Sequence, residues 1–491
     1  MSPQPHHADT FLRFACWDQF VHGISDHRMY DAAAQRLLRL HPEIAHHSVY
    51  TAVVCGDLHE VRRRLADDPE AGTRAGGPRD WTPMLYLAFT RFTHQPSIDN
   101  AVAIGQALLD AGANPNDSYP AGGVPYSALT GAAGGGEQDC PRQPQSVALF
   151  ELLLARGAEP FDTQVLYNTF LHNDLLWWLE LVYARTARDE RAAAWSDPSW
   201  AMFDMGGYGN GARFILDVAI RRKNVDLARW ALAHGADPNA APARDPRWSK
   251  RSLFEDAIVN EQTAIADLLR AHGAIETPIT LTDQELFLAA CRHGRFDEAA
   301  TLAERHPAFV AGHHALFGAA AHNAVPAVRW LLDLGTPAGI EDSREKTALH
   351  EAAANGALAA MQLLIDRGAP IDAIERTYGN APIGWASHFG RRDAMDLLAP
   401  VSKHVWTLAF EGYVDRLREV LATEPGRARE VRPDDGMTPL WWLPIDEDRA
   451  LTVAQLLLAA GADRSIKNHH GHTAADWATK LGMPKVAAIL R

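Results

Sequence analysis

One stretch of this chain constrains its fold more than any other. From Lys346 to Asp372 it reads KTALHEAAANGALAAMQLLIDRGAPID: a Thr opening a short helix, a turn at Asn355-Gly356, a second helix with an apolar stripe, and a Gly-Ala stop. Each part has a physical reason. Thr347 is placed to cap the first helix, because its side-chain oxygen can accept from N–H groups that a helix leaves unpaired in its first turn. Ala352, Ala353 and Ala354 keep that helix slim enough for copies to stack closely. Met361, Leu364 and Ile365 follow the i, i+3, i+4 spacing of one helix face, and Gly368 supplies the backbone freedom that ends it. A helix pair this short cannot bury its own apolar face, so it is stable only against neighbours of the same kind.

Such neighbours are present. The Gly-Ala stop recurs at Gly112, Gly157, Gly235, Gly273, Gly368 and Gly461, with Gly335-Thr336 as a variant. Gly335 and Gly368 stand 33 residues apart, and Thr438 and Thr473 stand 35 apart. Helix openings repeat as WTPMLYLA from Trp81, YSALTGAA from Tyr126, MTPLWWL from Met437 and HTAADWA from His472. A second form ends its outer helix at a proline, as at Pro42, Pro69, Pro307 and Pro425, where the ring cannot continue the helix.

Helix-turn-helix units at this period resemble the ankyrin repeat, and GGPRDWTPMLYLAF is similar to phrases in bacterial ankyrin-repeat proteins. The resemblance implies an all-α ankyrin-repeat solenoid of helix-turn-helix units with short finger loops, with roughly twelve or thirteen units after the N-terminal region. The expected organisation is a helical N-terminal cap over 1–47, repeats over 48–184, a Trp- and Gly-rich insertion over 185–211, and repeats over 212–491. Arg91 to Asn100 and Gly134 to Ser146 lengthen the turn inside their repeats, while Ala240 to Arg251 lengthens a connection between repeats. The unit starting near Ala381 reaches the next equivalent position, Lys403, after about 22 residues, which leaves no room for a finger loop at the usual period. The array is expected to divide near residue 200 and to bend near 400.

At 491 residues the chain exceeds one growing core, and 47% hydrophobic against 22% charged residues gives it ample material to fold. Its 61 acidic and 47 basic residues leave a net charge of -14, which disfavours nucleic acid and anionic membrane surfaces as partners. No window of about 18 apolar residues occurs, and Met1 to Phe20 lacks the apolar stretch of a signal peptide, so no membrane insertion is expected. Cys16, Cys55, Cys140 and Cys291 are too scattered for a clip or a metal knuckle, which points to a reducing, cytoplasmic setting.

Motifs for chemistry are lacking. The histidine pairs at 6–7, 46–47, 313–314 and 469–470 place adjacent rings in diverging directions, so no metal is expected. The glycine runs lack the Lys-Ser/Thr that grips phosphate, and neither GxSxG nor HExxH occurs. The sequence therefore predicts no catalytic residue, no cofactor and no enzyme activity.

What the resemblance implies instead is a protein-interaction scaffold. In ankyrin repeats the residue after the TPLH histidine faces a concave groove, which assigns Tyr86, Val218, Asp256, Glu351, Trp385, Trp442 and Trp477 to that face. His350 would tie neighbouring loops together, and Trp406 and Trp441 would pack between repeats. Trp385, Trp442 and Trp477 would form an aromatic shelf, flanked by Asp434, Asp435, Asp446, Glu447 and Asp448. Such a surface suits a protein partner carrying a cationic or Pro-containing segment. Trp195 and Trp200 in the insertion would add a second grip. The alternative is an enzyme or enzyme-activating subunit with a small-molecule pocket near 185–211, to which Asp204 and Tyr208 would contribute.

Overall fold

The computed structural model describes residues 5–18, 27–136, 140–171, 175–245, 249–433 and 435–491. Among them are 29 α-helices and one two-stranded sheet, making an all-α solenoid of helix pairs. The chain forms two compact units, Met1–Ile279 and Thr280–Arg491. Residues near 200, where a division of the array is expected, lie inside the first unit.

The repeat at 347–369 shows how the sequence sets its own geometry. Thr347 precedes the inner helix Ala348–Asn355, and its backbone N–H donates to Nδ1 of His350 at 3.1 Å. That bond leaves Nε2 of His350 as the protonated nitrogen, which donates to the carbonyl of Asn380 in the next finger loop at 3.1 Å. One buried imidazole thus joins a helix start to the following repeat. Gly356 ends the inner helix at φ +67, a conformation that costs most side chains energy, and the outer helix Leu358–Asp366 follows. The inner helices His313–Ala321, Ala348–Asn355 and Pro382–His388 stack in order, with Ala352 and Ala353 fully buried between them.

In the N-terminal unit, extra segments fold onto this scaffold. The helix Pro5–Ala15 packs against the inner helix Val49–Cys55 and the finger loop at 77–79. Trp17 N–H donates to Phe89 O at 2.9 Å and Arg91 N–H to Ala15 O at 2.8 Å, so residues 15–17 run beside the end of the helix Pro83–Phe89. Arg79 fastens the crossing, reaching Asp18 at 2.7 Å and the carbonyls of Arg13 and Cys16 at 3.0 and 2.9 Å. A finger loop later in the unit forms a β-hairpin, Ser118–Ala121 with Val124–Ser127, turning at Gly122-Gly123, both with positive φ.

The turn expected to span 91–100 is shorter. Residues from Gln95 onward are already helical, in a 16-residue outer helix Gln95–Asp110 that begins with Pro96 in its first turn, where the missing N–H costs nothing. Arg91 sits in the true turn, 8% exposed, with its guanidinium on the carbonyls of Ala88, Thr90 and Gly131 and 3.2 Å from Cys140 Sγ. It therefore closes the C-terminal ends of two successive inner helices.

In the C-terminal unit the finger loop near 400 is indeed short. Residues 399–404 alone link the helices Arg392–Leu398 and Val405–Phe410, and the carboxylate of Asp372 accepts from Ser402 Oγ at 2.6 Å and Lys403 N–H at 2.8 Å. The unit after it departs from expectation. MTPLWWL forms only a 3-10 turn, Pro439–Trp441, because Pro444 disfavours helix at the residue before it and removes an N–H. The outer helix Glu447–Ala459 then runs 13 residues.

Candidate partner-binding face

The C-terminal unit carries half-buried tryptophans at 385, 406, 442 and 477. Trp385 lies on the inner helix Pro382–His388 and is surrounded by rings that keep contact with solvent. Tyr378, 50% exposed in the preceding finger loop, lies 6.0 Å from it, and Phe389, 46% exposed, also lies 6.0 Å away. His388 stacks with Tyr378 at 6.3 Å and meets Phe389 edge-on at 4.9 Å. Glu375, almost fully buried, holds the finger loop in shape by accepting from the backbone N–H groups of Thr377, Tyr378 and Asn380.

Two of the rings already hold cations. Lys346 Nζ lies 5.6 Å from the Trp385 ring centre and 5.8 Å from that of Phe317, and it pairs with Glu351. Arg432 lies 5.5 Å from the Trp442 ring centre and 3.7 Å from Asp435. Each slot thus combines an indole face, a cation and a carboxylate, so a partner's cation would have to displace a resident one. Phe410 backs Trp442 edge-on at 5.8 Å, and the Trp385 and Trp442 N–H groups find no acceptor among the described residues.

Trp441 is 5% exposed and stacks on Trp477, which matches a role between repeats, while half-buried Trp406 donates from Nε1 to Glu430 at 3.0 Å. Asp446, Glu447 and Asp448 do not flank the shelf. Asp446 caps the outer helix Glu447–Ala459, Glu447 accepts from the Lys485 backbone and Asp448 pairs with the Lys485 ammonium at 2.7 Å, which ties the last two outer helices together. Asp434 lies outside the described residues.

Three aromatic residues assigned to partner contact belong to the core. Tyr86 is fully buried beneath residues 5–18, its hydroxyl donating to Gly76 O at 3.1 Å and accepting from Arg79 N–H at 3.2 Å. Trp200 is fully buried and Trp195 is 7% exposed. Trp195 donates to Thr186 Oγ1 at 2.8 Å and packs edge-on against Trp200, Tyr183 and Phe161. Residues 195–209 thus bring Trp195, Trp200 and Phe203 together with Phe161 as an aromatic cluster. Asp204 is exposed and closes a local turn by accepting from Gly206 N–H.

The sequence missed Tyr378, Phe389 and the two cations. Tyr378 stood in a finger loop with no period to mark it. The pairing of Lys346 with a ring 39 positions later depends on how repeats stack, which a single repeat does not reveal.

A family model of ankyrin repeats, three copies, matches residues 316–409. Among solved structures, an ankyrin repeat domain from Acinetobacter baumannii is 21% identical, covering 36% of this chain and 97% of that one with a TM-score of 0.29. No curated protein matches the chain. Thr347, His350 and Gly356 stand in their structural places inside the matched residues, so the segment 316–409 is a run of ankyrin repeats.

Proposed function

We propose that this protein is a scaffold or adaptor that binds a protein partner on the inner face of its C-terminal unit. The observation that carries this is the contiguous set of part-exposed rings, Tyr378, Trp385, His388 and Phe389, on a repeat whose following finger loop is cut to 399–404. A few anchors enriched in tryptophan and tyrosine supply most of the energy at protein interfaces. Because Lys346 and Arg432 already occupy indole faces, the favoured partner segment offers proline or aromatic anchors rather than a cation. A cytoplasmic setting goes with this proposal, supported by four cysteines that are all buried and unpaired. Among the described residues no helix is long and apolar enough to cross a membrane.

The test is a pull-down with the native chain beside a Trp385→Ala/Trp442→Ala double variant of matched helicity and melting. A partner held by the native chain and lost by the variant supports the site. Equal retention on both rejects it.

A further inference from the structure

The lengthened turn between the helices Ala128–Ala133 and Ser146–Ala155 ends in a depression of about 470 Å³. Its wall includes Arg142, Gln143, Ser146, Val147, Ala148 and Glu151. The ten-residue helix Ser146–Ala155 starts there with no side-chain cap. Among the described residues, the N–H groups of Val147 and Ala148 in its first turn donate to nothing outside the helix, and geometry gives them no partner within it.

An independent observation stands beside this helix end. Gln143 is 1% exposed, and its carbonyl oxygen accepts from Gln145 N–H, yet its Nε2 has no hydrogen-bond partner among the described residues. A buried amide donor left unsatisfied costs roughly 1–3 kcal/mol, so the unpaired Nε2 calls for an acceptor. Arg142 adds positive charge at the mouth, its guanidinium lying 4.4 Å over the ring of Trp177. Free first-turn N–H groups, the positive end of a helix dipole, an amide donor and a guanidinium all favour the same ligand chemistry.

We infer that this depression binds a small oxyanion, a phosphate or a carboxylate, on the N–H groups of Val147 and Ala148, with Gln143 Nε2 donating and Arg142 balancing the charge. Glu151, one turn along the helix, opposes high negative charge. A singly charged ligand that keeps a proton, such as dihydrogen phosphate, fits beside it better than a polyanion. The site lies in the N-terminal unit and is independent of the aromatic face in the C-terminal unit.

The full-length protein is titrated calorimetrically with inorganic phosphate at constant ionic strength, and separately with acetate, while hydrogen exchange is followed at 142–151. Saturable binding of either anion with slowed exchange at 146–148 is expected; acetate binding as tightly as phosphate assigns a carboxylate ligand, and phosphate alone assigns a phosphoryl one. Arg142→Met should weaken binding at least tenfold, and Glu151→Gln should strengthen it several-fold. Glu151→Gln is the safer variant for folding, since it preserves shape and removes only a charge. No saturation by either anion, or native affinity in both variants, overturns the site.

Discussion

In the N-terminal unit the positions assigned to a groove, Tyr86, Val218 and Asp256, are 0%, 1% and 6% exposed, whereas Glu351, Trp385, Trp442 and Trp477 in the C-terminal unit all keep part of their surface. The inner helices are of the same kind in both. What differs is what lies on them. Residues 5–18 cover Tyr86, and residues 195–209 and 249–251 close over the helix Gly211–Arg221, where Ala212 N–H meets Ser199 O and Arg213 reaches Arg251 O. Among its described residues the C-terminal unit has no comparable insertion, and its finger loop is cut short at 399–404. Insertions in ankyrin arrays are natural candidates for partner contact, yet here they act as the chain's own cover, and the open face lies where the chain is shortest.

The largest effect that sharpens this contrast is on stability. Trp200→Ala should destabilise the N-terminal unit by about 3–5 kcal/mol, the usual range for removing a large buried ring. Trp385→Ala, at a half-buried ring, should cost only about 1 kcal/mol. Denaturant unfolding measures both, and equal losses would mean that the two faces do not differ in burial.

Acid should separate the units next, with opposite signs. In the N-terminal unit Arg213 is wholly buried between Asp217 at 2.8 Å and Asp256 at 3.0 Å, so two carboxylates share one cation. Burial raises the Asp217 pKa to about 6 against the attraction of Arg213. A carboxylate whose folded pKa lies above its unfolded one favours folding in acid, and that contribution is lost as pH rises from about 4 to 6. In the C-terminal unit burial lowers the His404 pKa to about 4. Its contribution is complete above about pH 6.5 and is lost as pH falls toward 4, by as much as about 3 kcal/mol. Between pH 6.5 and 4.5, hydrogen-exchange protection, taken relative to the intrinsic rate at each pH, should therefore fall around 404–408 and rise around 213–217. Asp217→Asn should abolish the N-terminal response. Parallel responses in the two regions would refute the assignment.

The repeat was legible because its signals are local. Thr347, His350 and Gly356 form a cap, a bridge and a stop within ten residues, and each is where the sequence placed it. The short connection at 399–404 was legible too, since a missing loop changes the spacing. Coverage was not legible. That Cys16 pairs with Thr90, or that Trp195 turns inward to Thr186, depends on long-range docking that has no period. The same is true of the carboxylates at 446–448, which read as loop charge beside a groove but serve a helix start and Lys485. Trp442 was placed by alignment to a helix, yet Pro444 leaves only a 3-10 turn there.

The smallest expected change in stability carries the most information about function. Tyr378 is 50% exposed at the tip of its loop, and the loop's shape depends on the Glu375 carboxylate rather than on the tyrosine ring. Tyr378→Ala should therefore shift the unfolding free energy by no more than about 0.5 kcal/mol. If the exposed rings are interface anchors, the same change should still weaken partner binding about tenfold or more, since truncating such an anchor costs above about 1 kcal/mol of affinity. Leu40→Ala, 51% exposed in the N-terminal unit, is the matched control and should leave partner affinity unchanged. A tyrosine that moves binding without moving stability, beside an equally exposed residue that moves neither, would separate a docking surface from one that is merely uncovered.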